Sequence, residues 1–422
     1  MKYAGPPEIR RRNISRTLSD FNVITGGITV NSFEFYSPTK VIFGKGVENN
    51  AGAEIRSWGG TRVLIHSGGS SARKSGLLDR VKASLGAAGI SFISLDGAVP
   101  NPRLSLVREG IELCRREGVD FILAVGGGSA IDSAKAIALG AKYDGDVWDL
   151  FEGLAAPKDV LPTANILTLA AAGSETSKHT VITNEDGWLK KGYGNSLCRP
   201  KFTMMNPELT YALPAYQTAC GVVDIMMHTL ERYFSPGGRN ELTDRIAEAV
   251  LQTVIRFGRI ALKDPSDYTA RSEIMWAGSL SHNDLTGLGR PGDWATHQLE
   301  HELSGYFDVA HGAGLASVWG SWARYVYKAD VMRFARYGAN VWGLALNYEN
   351  PGETALEAIA ATEDYFTSIG MPVTITELTG SRISDQVVDE LAEKCTYFGK
   401  RKIGKFVVLD KPQIIDIYAS AR

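Results

Sequence analysis

The sequence predicts an α/β domain, a parallel sheet with helices on both faces, followed by an all-helical domain. Three observations carry this expectation. Short, nearly continuous apolar segments alternate with amphipathic stretches from Val41 to about residue 170. One of those segments runs into three consecutive glycines and then a helical pattern. Beyond about Pro214, helical spacing dominates and strand signals become scarce.

Taken in order, VIFG (41–44), VLIH (63–66), SFISL (91–95) and FILAV (121–125) are brief and rich in branched and aromatic residues. They end in Gly, Ser or Asp, as buried strands do. SGLLDRVKASLGAAG (75–89) and RLSLVREGIELCRREG (103–118) lie between them with helical periodicity. NILTLA (165–170) reads as a further strand, and HTVITNEDGWLKKGYGN (179–195) as a hairpin turning at Glu185-Asp186-Gly187. TDRIAEAVLQTVIRFGRIAL (243–262) and ETALEAIAATEDYFTSIG (353–370) are helices of the second half. The expected division is an N-terminal arm or leader over residues 1–30, an α/β domain over 31–212 and a helical domain over 213–422. The first segment mixes Pro6-Pro7, the basic run Arg10–Arg12 and scattered hydroxyls, and it has no apolar h-region.

Composition excludes several classes. Of 422 residues, 44% are hydrophobic and 22% charged, which suits a folded globular chain. A formal net charge of -2 gives no general attraction to nucleic acid or anionic membrane. No apolar run reaches the roughly 20 residues of a spanning helix. The four cysteines, Cys114, Cys198, Cys220 and Cys395, form no CxxC pair and read as reduced thiols of a cytoplasmic protein.

FILAVGGGSAIDSAKAIA (121–138) combines a buried strand, a glycine corner and a helix expected to open at Ser129. Gly127 and Gly128 let a ligand approach the backbone, and free amides at a helix start attract a phosphate, so Gly127, Gly128 and Ser129 are candidates for a pyrophosphate. Ser129 with Asp132 is also a capping-box-like pair. This is not the GxGxxG fingerprint, and GAGLAS (312–317) imitates half of it without a preceding strand. The domain is therefore expected to bind a dinucleotide. In IHSGGSSARKSG (65–76), where an adenosine ribose would rest, no acidic side chain is present. Gly68, Gly69 and Ser71 lead instead to Arg73 and Lys74, which suit a 2′-phosphate, so NADP(H) is expected over NAD(H).

GVVDIMMHTLERYF (221–234) places Asp224 and His228 four apart on an otherwise apolar helix face, where a buried carboxylate needs a partner. HQLEHELSGYFDVAH (297–311) repeats that spacing with His297 and His301 and ends on His311, where a new helix is expected to begin. One carboxylate with two or three imidazoles suits a first-row divalent metal with an open position. A second reading exists, because HQLEH spells the His-x-x-Glu-His of a zinc peptidase with Glu300 as general base. It would need a third ligand, for which Glu353, Glu363 and Glu390 are available. It leaves the glycine corner, Asp224, His228 and His311 without purpose, and ranks below the first.

These residues resemble the iron-dependent (group III) alcohol dehydrogenases, and most closely the branch of butanol dehydrogenases and broad-range aldehyde reductases. The likeness runs from about Phe33 to the C-terminus through FYSPTKVIFGKG (35–46), VPNPRLSLVREG (99–110), AVGGGSAIDSAKAIA (124–138), GVVDIMMH (221–228) and GDWATHQLEHELSGYFDVAHGAGLA (292–316). The resemblance implies a dehydroquinate synthase-like architecture with cofactor and metal in a cleft between the two domains. It implies Asp224, His228, His297 and His311 as ligands of Fe2+, sometimes replaced by Zn2+ or another divalent ion. His301 would stand by the nicotinamide and substrate as the catalytic proton donor. Gly127, Gly128 and Ser129 would hold the pyrophosphate, with Asn101, Thr168, Ser174 and Lys190 along the cofactor. A homodimer acting on a small aldehyde or primary alcohol, without nucleic acid or membrane partners, is the implied assembly. A non-redox lyase like dehydroquinate synthase, or a glycerol dehydrogenase, shares the fold, but one Asp with three His favours the iron branch.

Three places depart from that branch. Ala172 replaces a frequent hydroxyl residue, Lys178-His179 stands where small or neutral residues are common, and WGSW (319–322) lacks an expected proline. If Lys178 or His179 points into the cleft, carboxylate-bearing aldehydes are the favoured substrates; the competing reading, ranked first, is that the pair sits on an exposed loop.

Overall fold

The computed structural model describes residues 30–69, 71–238 and 240–422, so the expected arm or leader lies outside the described residues except for Val30. Parallel strands β1 (Lys40–Phe43), β2 (Arg62–Ser67), β3 (Ser91–Asp96), β4 (Phe121–Gly126), β5 (Thr163–Leu167) and β8 (Phe202–Met205) form one sheet in the order β1-β8-β5-β4-β2-β3. Between them run α1 (Ala51–Ser57), α2 (Ser71–Lys74), α3 (Leu77–Ala87), α4 (Leu104–Glu117), α5 (Gly128–Ala141) and α6 (Trp148–Glu152). Strands β6 (His179–Asn184) and β7 (Leu189–Gly194) pair antiparallel as the expected hairpin.

The uninterrupted apolar strands follow from burial on both faces. Leu64, Ile122 and Ala124 share one core with Leu104, Val107 and Ile111 of α4 and with Ile131 and Ile137 of α5. Their neighbours Val63, Ile65, Phe121, Leu123 and Val125 point the other way, onto Ile55 of α1 and Leu78, Val81 and Leu85 of α3. That alternation is the pleat read from two sides. Because every strand is parallel, Ser67, Asp96, Gly126 and Leu167 all end at one edge of the sheet, where ligands of such sheets bind. Strand β8 was not anticipated. FTMM is short and flanked by Lys201 and Asn206, yet it fills the place between β1 and β5 with every residue buried.

The second half is helical: α7 (Ala215–Tyr233), α8 (Glu241–Lys263), α9 (Tyr268–His282), α10 (Ala295–Phe307), α11 (His311–Val326), α12 (Val331–Tyr337), α13 (Pro351–Ser368), α14 (Ile375–Thr379), α15 (Asp385–Cys395) and α16 (Lys411–Ala421). Helix α7 runs through the middle, and Val222, Met226 and Leu230 join the core made with α8, α10, α11 and α13. GAGLAS is interior to α11, and both tryptophans of WGSW are buried farther along the same helix.

One local expectation is corrected. Helix α5 starts at Gly128, not at Ser129, and its N-cap Gly127 carries no side-chain cap. Asp132 does not close a capping box; its carboxylate accepts from Val181 N at 2.9 Å and from Ser174 Oγ. The tertiary partners offer buried donors that the first turn of a helix, already open to a ligand, does not need.

Candidate metal centre

Helix α7 presents Asp224, α10 presents His297, and the first residue of α11 is His311, as the sequence placed it. One donor atom from each of these three lies within 4.8 Å of the others. From Asp224 Oδ1, His297 Nε2 is 3.9 Å away and His311 Nε2 3.8 Å. His228 Nδ1 is nearer, at 3.2 Å, though His228 stands outside the mutually spaced trio. Donors at about 2.1 Å from a tetrahedral ion stand roughly 3.4 Å apart, so this spacing suits one cation. Asp224 Oδ1, His228 Nδ1 and His297 Nε2 are buried without a hydrogen-bond partner among the described residues. Unpaired lone pairs gathered at one point are what a metal satisfies and a packed core does not. The residues fit a divalent ion.

Electrostatics points the same way. Burial pushes the Asp224 carboxyl up, but the imidazoles of His228, His311 and His297 outweigh it and hold the group at about 2. Burial pushes His228 well below its usual range, whereas at His297 burial is outweighed by the carboxylates of Asp224 and Glu231, which bring it up to about 9. Glu231, one turn beyond His228, accepts from His297 Nδ1 at 3.1 Å and turns the other ring nitrogen toward Asp224. Glu300 does the same for His311 Nδ1, and Lys190 Nζ sits 3.3 Å from the same carboxylate. Ser304 Oγ also donates to Glu300.

That role settles the His-x-x-Glu-His question. Glu300 is fully buried, and both its oxygens are engaged by Ser304, His311 and Lys190, which is the setting of a structural carboxylate and not of a general base. His301 stands apart from the trio, its ring 5.9 Å from that of His311. Burial, and then Lys190, pushes His301 well below its usual range. Six of the chain's seven histidines form one chain of rings: His179 to His282 at 5.2 Å, His282 to His228 at 4.1 Å, His228 to His297 at 4.6 Å, His297 to His311 at 5.4 Å and on to His301.

The segment from β5 to β6 ties this cluster to the glycine corner. A Cβ on Gly127 would meet Leu169 Cβ at 3.0 Å, and one on Gly128 would meet Ala172 Cβ at 3.1 Å. At the other end, Gly221, one turn before Asp224, packs its Cα on the Ala170 carbonyl, and a Cβ on Gly173 would lie 2.7 Å from His282 Cβ. Thr168 N bonds to Gly126 O at 3.0 Å. Ser174 is buried, and Lys135 of α5 donates to Ser174 O (2.6 Å), Ser177 O (2.9 Å) and His179 O (2.9 Å). Sequence reasoning passed over Lys135, whose only signal was a lysine on an otherwise apolar helix. Ser129 lies in the first turn of α5.

Asn101 takes a left-handed conformation (φ 55°) and reaches across to the helical half, donating to Asp308 Oδ1 at 3.1 Å and Val309 O at 3.3 Å. At the outer end of the sheet edge, Gly68 follows β2 and a Cβ there would meet Ala98 O at 3.3 Å, whereas Gly69 has open space. Ser71 opens α2. Here the reading of residues 65–76 needs a correction. A carboxylate does stand at this position, but it arrives from the next strand: Asp96 accepts from Ser67 Oγ at 2.6 Å and pairs with Arg73.

A glycine corner at the carboxyl edge of a parallel sheet, joined by one loop to a buried carboxylate–imidazole cluster able to hold a metal in a helical half, defines an α/β–α protein of the kind that pairs a phosphate-binding corner with a metal site. Two family models match the chain, "Iron-containing alcohol dehydrogenase" over residues 38–207 and "Fe-containing alcohol dehydrogenase family, C-terminal" over 218–422. The chain is 43% identical to NADH-dependent butanol dehydrogenase A of Clostridium acetobutylicum over 388 residues, 92% of this chain and 98% of that one. It is 35% identical to the NADPH-dependent aldehyde reductase YqhD of Escherichia coli, over 89% of this chain and 96% of that one. The crystal structure of NADH-dependent butanol dehydrogenase A from Thermotoga maritima superposes with a TM-score of 0.89 at 35% identity, covering 93% of this chain and 99% of the other. The chain belongs to the iron-containing alcohol dehydrogenase family.

Proposed function

We propose that the protein is a metal-dependent, NAD(P)H-linked alcohol dehydrogenase that interconverts a small aldehyde and its primary alcohol. The observation that supports this most is the convergence of Asp224, His297 and His311, with His228 beside them, at the inner end of the loop that starts on the glycine corner. When bound, a divalent ion there polarises a carbonyl oxygen, and a reduced nicotinamide supplies the hydride. The protein's own part is positioning. Gly127, Gly128 and the amides of the first turn of α5 hold the pyrophosphate. Lys135 and Asp132 clamp the loop bearing Ser174, and Asn101 with Arg103 braces Asp308 across the cleft, the Arg103 guanidinium meeting both its oxygens at 3.0 Å. His301 holds the substrate oxygen, or a water beside it, through a ring N–H, and the proton that completes the alcohol comes from solvent along that contact.

The coenzyme's ribose end carries opposing charges. Arg73 and Lys74 support NADP(H), the expectation from the sequence, whereas Asp96 occupies Arg73 and supports a free 2′-hydroxyl. Among the relatives named above, two are NADH-dependent, at 43% and 35% identity, and one is NADPH-dependent at 35%. We infer that both coenzymes are accepted, Lys74 serving the phosphate and Asp96 limiting the preference for it. The same reading includes a cytoplasmic homodimer. Four free cysteines suit a reducing compartment, and no helix among the described residues is long and apolar enough to cross a membrane. The exposed run Val30, Phe33, Phe35 and Tyr36, leading into edge strand β1, offers apolar surface to a second copy.

The test is oxidation of NADH and NADPH by iron- or zinc-loaded protein over a panel of aldehydes. Metal-dependent turnover of butanal supports the reading; no turnover of any aldehyde with either metal overturns it.

A further inference from the structure

Lys178 and His179 both line a cavity of about 440 Å³ against the metal-binding helices. Arg232, Asp284, Arg290 and Trp294 make up much of its remaining wall. Trp294 places the cavity next to the reaction centre, its ring 5.4 Å from that of His297 and 6.1 Å from that of His228. Arg232 ties the same wall to the metal helix by donating to the His228 carbonyl at 2.9 Å.

The charges in this cavity are unbalanced. Asp284 is approached by Lys178 Nζ at 3.0 Å, Arg199 at 2.6 Å and Arg232 at 3.8 Å, so one carboxylate serves three cations. Arg290 brings a further positive charge, offset by Asp244 at 2.6 Å, but Asp244 also serves Arg333 at 2.6 Å. Glu34 lines the rim and supplies the one other carboxylate of the wall. Arg232 is deeply buried and stacked on Trp294 at 4.6 Å. Its close partners, the His228 carbonyl at 2.9 Å and His282 Nδ1 at 3.1 Å, are neutral, and Asp284 at 3.8 Å is its one carboxylate within 4 Å among the described residues. A buried cation is costly without a counter-charge, and a neutral aliphatic substrate would leave this one under-compensated. Lys178 is half-exposed at the mouth, with donors to spare beyond its contact to Asp284.

We propose that this cavity binds the far end of the substrate, and that the substrate is a short aldehyde or alcohol carrying a distal oxyanion, a carboxylate or a phosphonate. The inference rests on the dehydrogenase reading for its aldehyde end and on the cation excess for its anionic end. Lys178 captures the oxyanion at the mouth, and Arg232 draws it inward along Trp294. The carbonyl is thereby left toward His228 and His297.

Steady-state kinetics of the metal-loaded enzyme with butanal, succinic semialdehyde and 3-oxopropylphosphonate tests this, together with calorimetric binding of 4-hydroxybutyrate and 1-butanol. The expected result is a kcat/KM at least tenfold higher for one of the anionic aldehydes than for butanal. That advantage shrinks at high ionic strength. Whichever anion wins names the tail. Lys178→Met should reduce the ratio about tenfold, chiefly through KM, and remove the tighter binding of 4-hydroxybutyrate. Equal kcat/KM for all three aldehydes, or a ratio unmoved in Lys178→Met, overturns the proposal while leaving the dehydrogenase reading intact. A protein that reduces no aldehyde yet binds 4-hydroxybutyrate through Lys178 keeps the anion site and removes the dehydrogenase reading instead.

Discussion

Glu231 Oε1 holds His297 twice, accepting from its backbone N–H at 3.0 Å and from its Nδ1 at 3.1 Å. The two contacts fix the ring's orientation, so Nε2 faces Asp224 Oδ1 at 3.9 Å. Both residues are buried, which makes the arrangement hard to relax. Glu231 lies on the same helix as Asp224 and His228, so one helix supplies a ligand and the group that aims another.

Removing that carboxylate should cost metal rather than fold. Glu231→Ala is expected to weaken divalent-ion affinity by about 10- to 100-fold, as measured by competition with a chromogenic chelator. An affinity equal to the parent's would mean that Glu231 is only packing.

His301 stands outside the donor trio, and its role is separable from metal binding. His301→Ala should retain a full complement of metal by elemental analysis and lose about 10²- to 10⁴-fold in kcat. If the metal is lost instead, His301 is a ligand and its assigned role is wrong.

Asp96 and Arg73 set the coenzyme ratio against each other. Asp96→Asn frees Arg73 and removes a charge that repels a 2′-phosphate. The ratio of kcat/KM for NADPH over NADH should therefore rise about three- to tenfold, on the scale of one partly screened contact. An unchanged ratio would place the ribose elsewhere.

His66, the one histidine outside the chain of rings, gives a pH-dependent term of known sign. It is fully buried in β2 beside the Leu95 carbonyl (2.9 Å), and burial lowers its pKa from 6.5 to about 4. Below pH 6.5 the unfolded chain takes up this proton before the folded one does. Stability is therefore complete above about pH 6.5 and declines as the pH falls toward 4, by roughly 3 kcal/mol at the limit. Urea unfolding of His66→Gln across that interval should show a shallower loss than the parent, and parallel curves would refute the assignment.

The layers of the fold and the helices that carry Asp224, His297 and His311 were legible because they depend on local pattern. Two-sided apolar strands announce a covered parallel sheet, and i, i+4 pairs such as Asp224 with His228 announce a helix face. What stayed hidden was contact between distant segments. Asp96 reaches Ser67 from a neighbouring strand, so inspection of residues 65–76 alone missed the acid. Glu300 looked like a peptidase base in its own five-residue window, and only the position of His311 and Lys190 shows what it does. Lys178, Arg199, Arg232 and Asp284 come from four separate stretches, and nothing short of the fold could bring three cations to one carboxylate. FTMM was overlooked because four buried residues between Lys201 and Asn206 carry too little periodicity to mark a strand.

Elemental analysis of protein purified anaerobically, beside Asp224→Ala and His311→Ala, tests the central claim most directly. One tightly held divalent ion per chain, absent from both variants while their circular dichroism matches the parent's, is the result expected. A parent that binds no divalent ion, or variants that keep theirs, would contradict it.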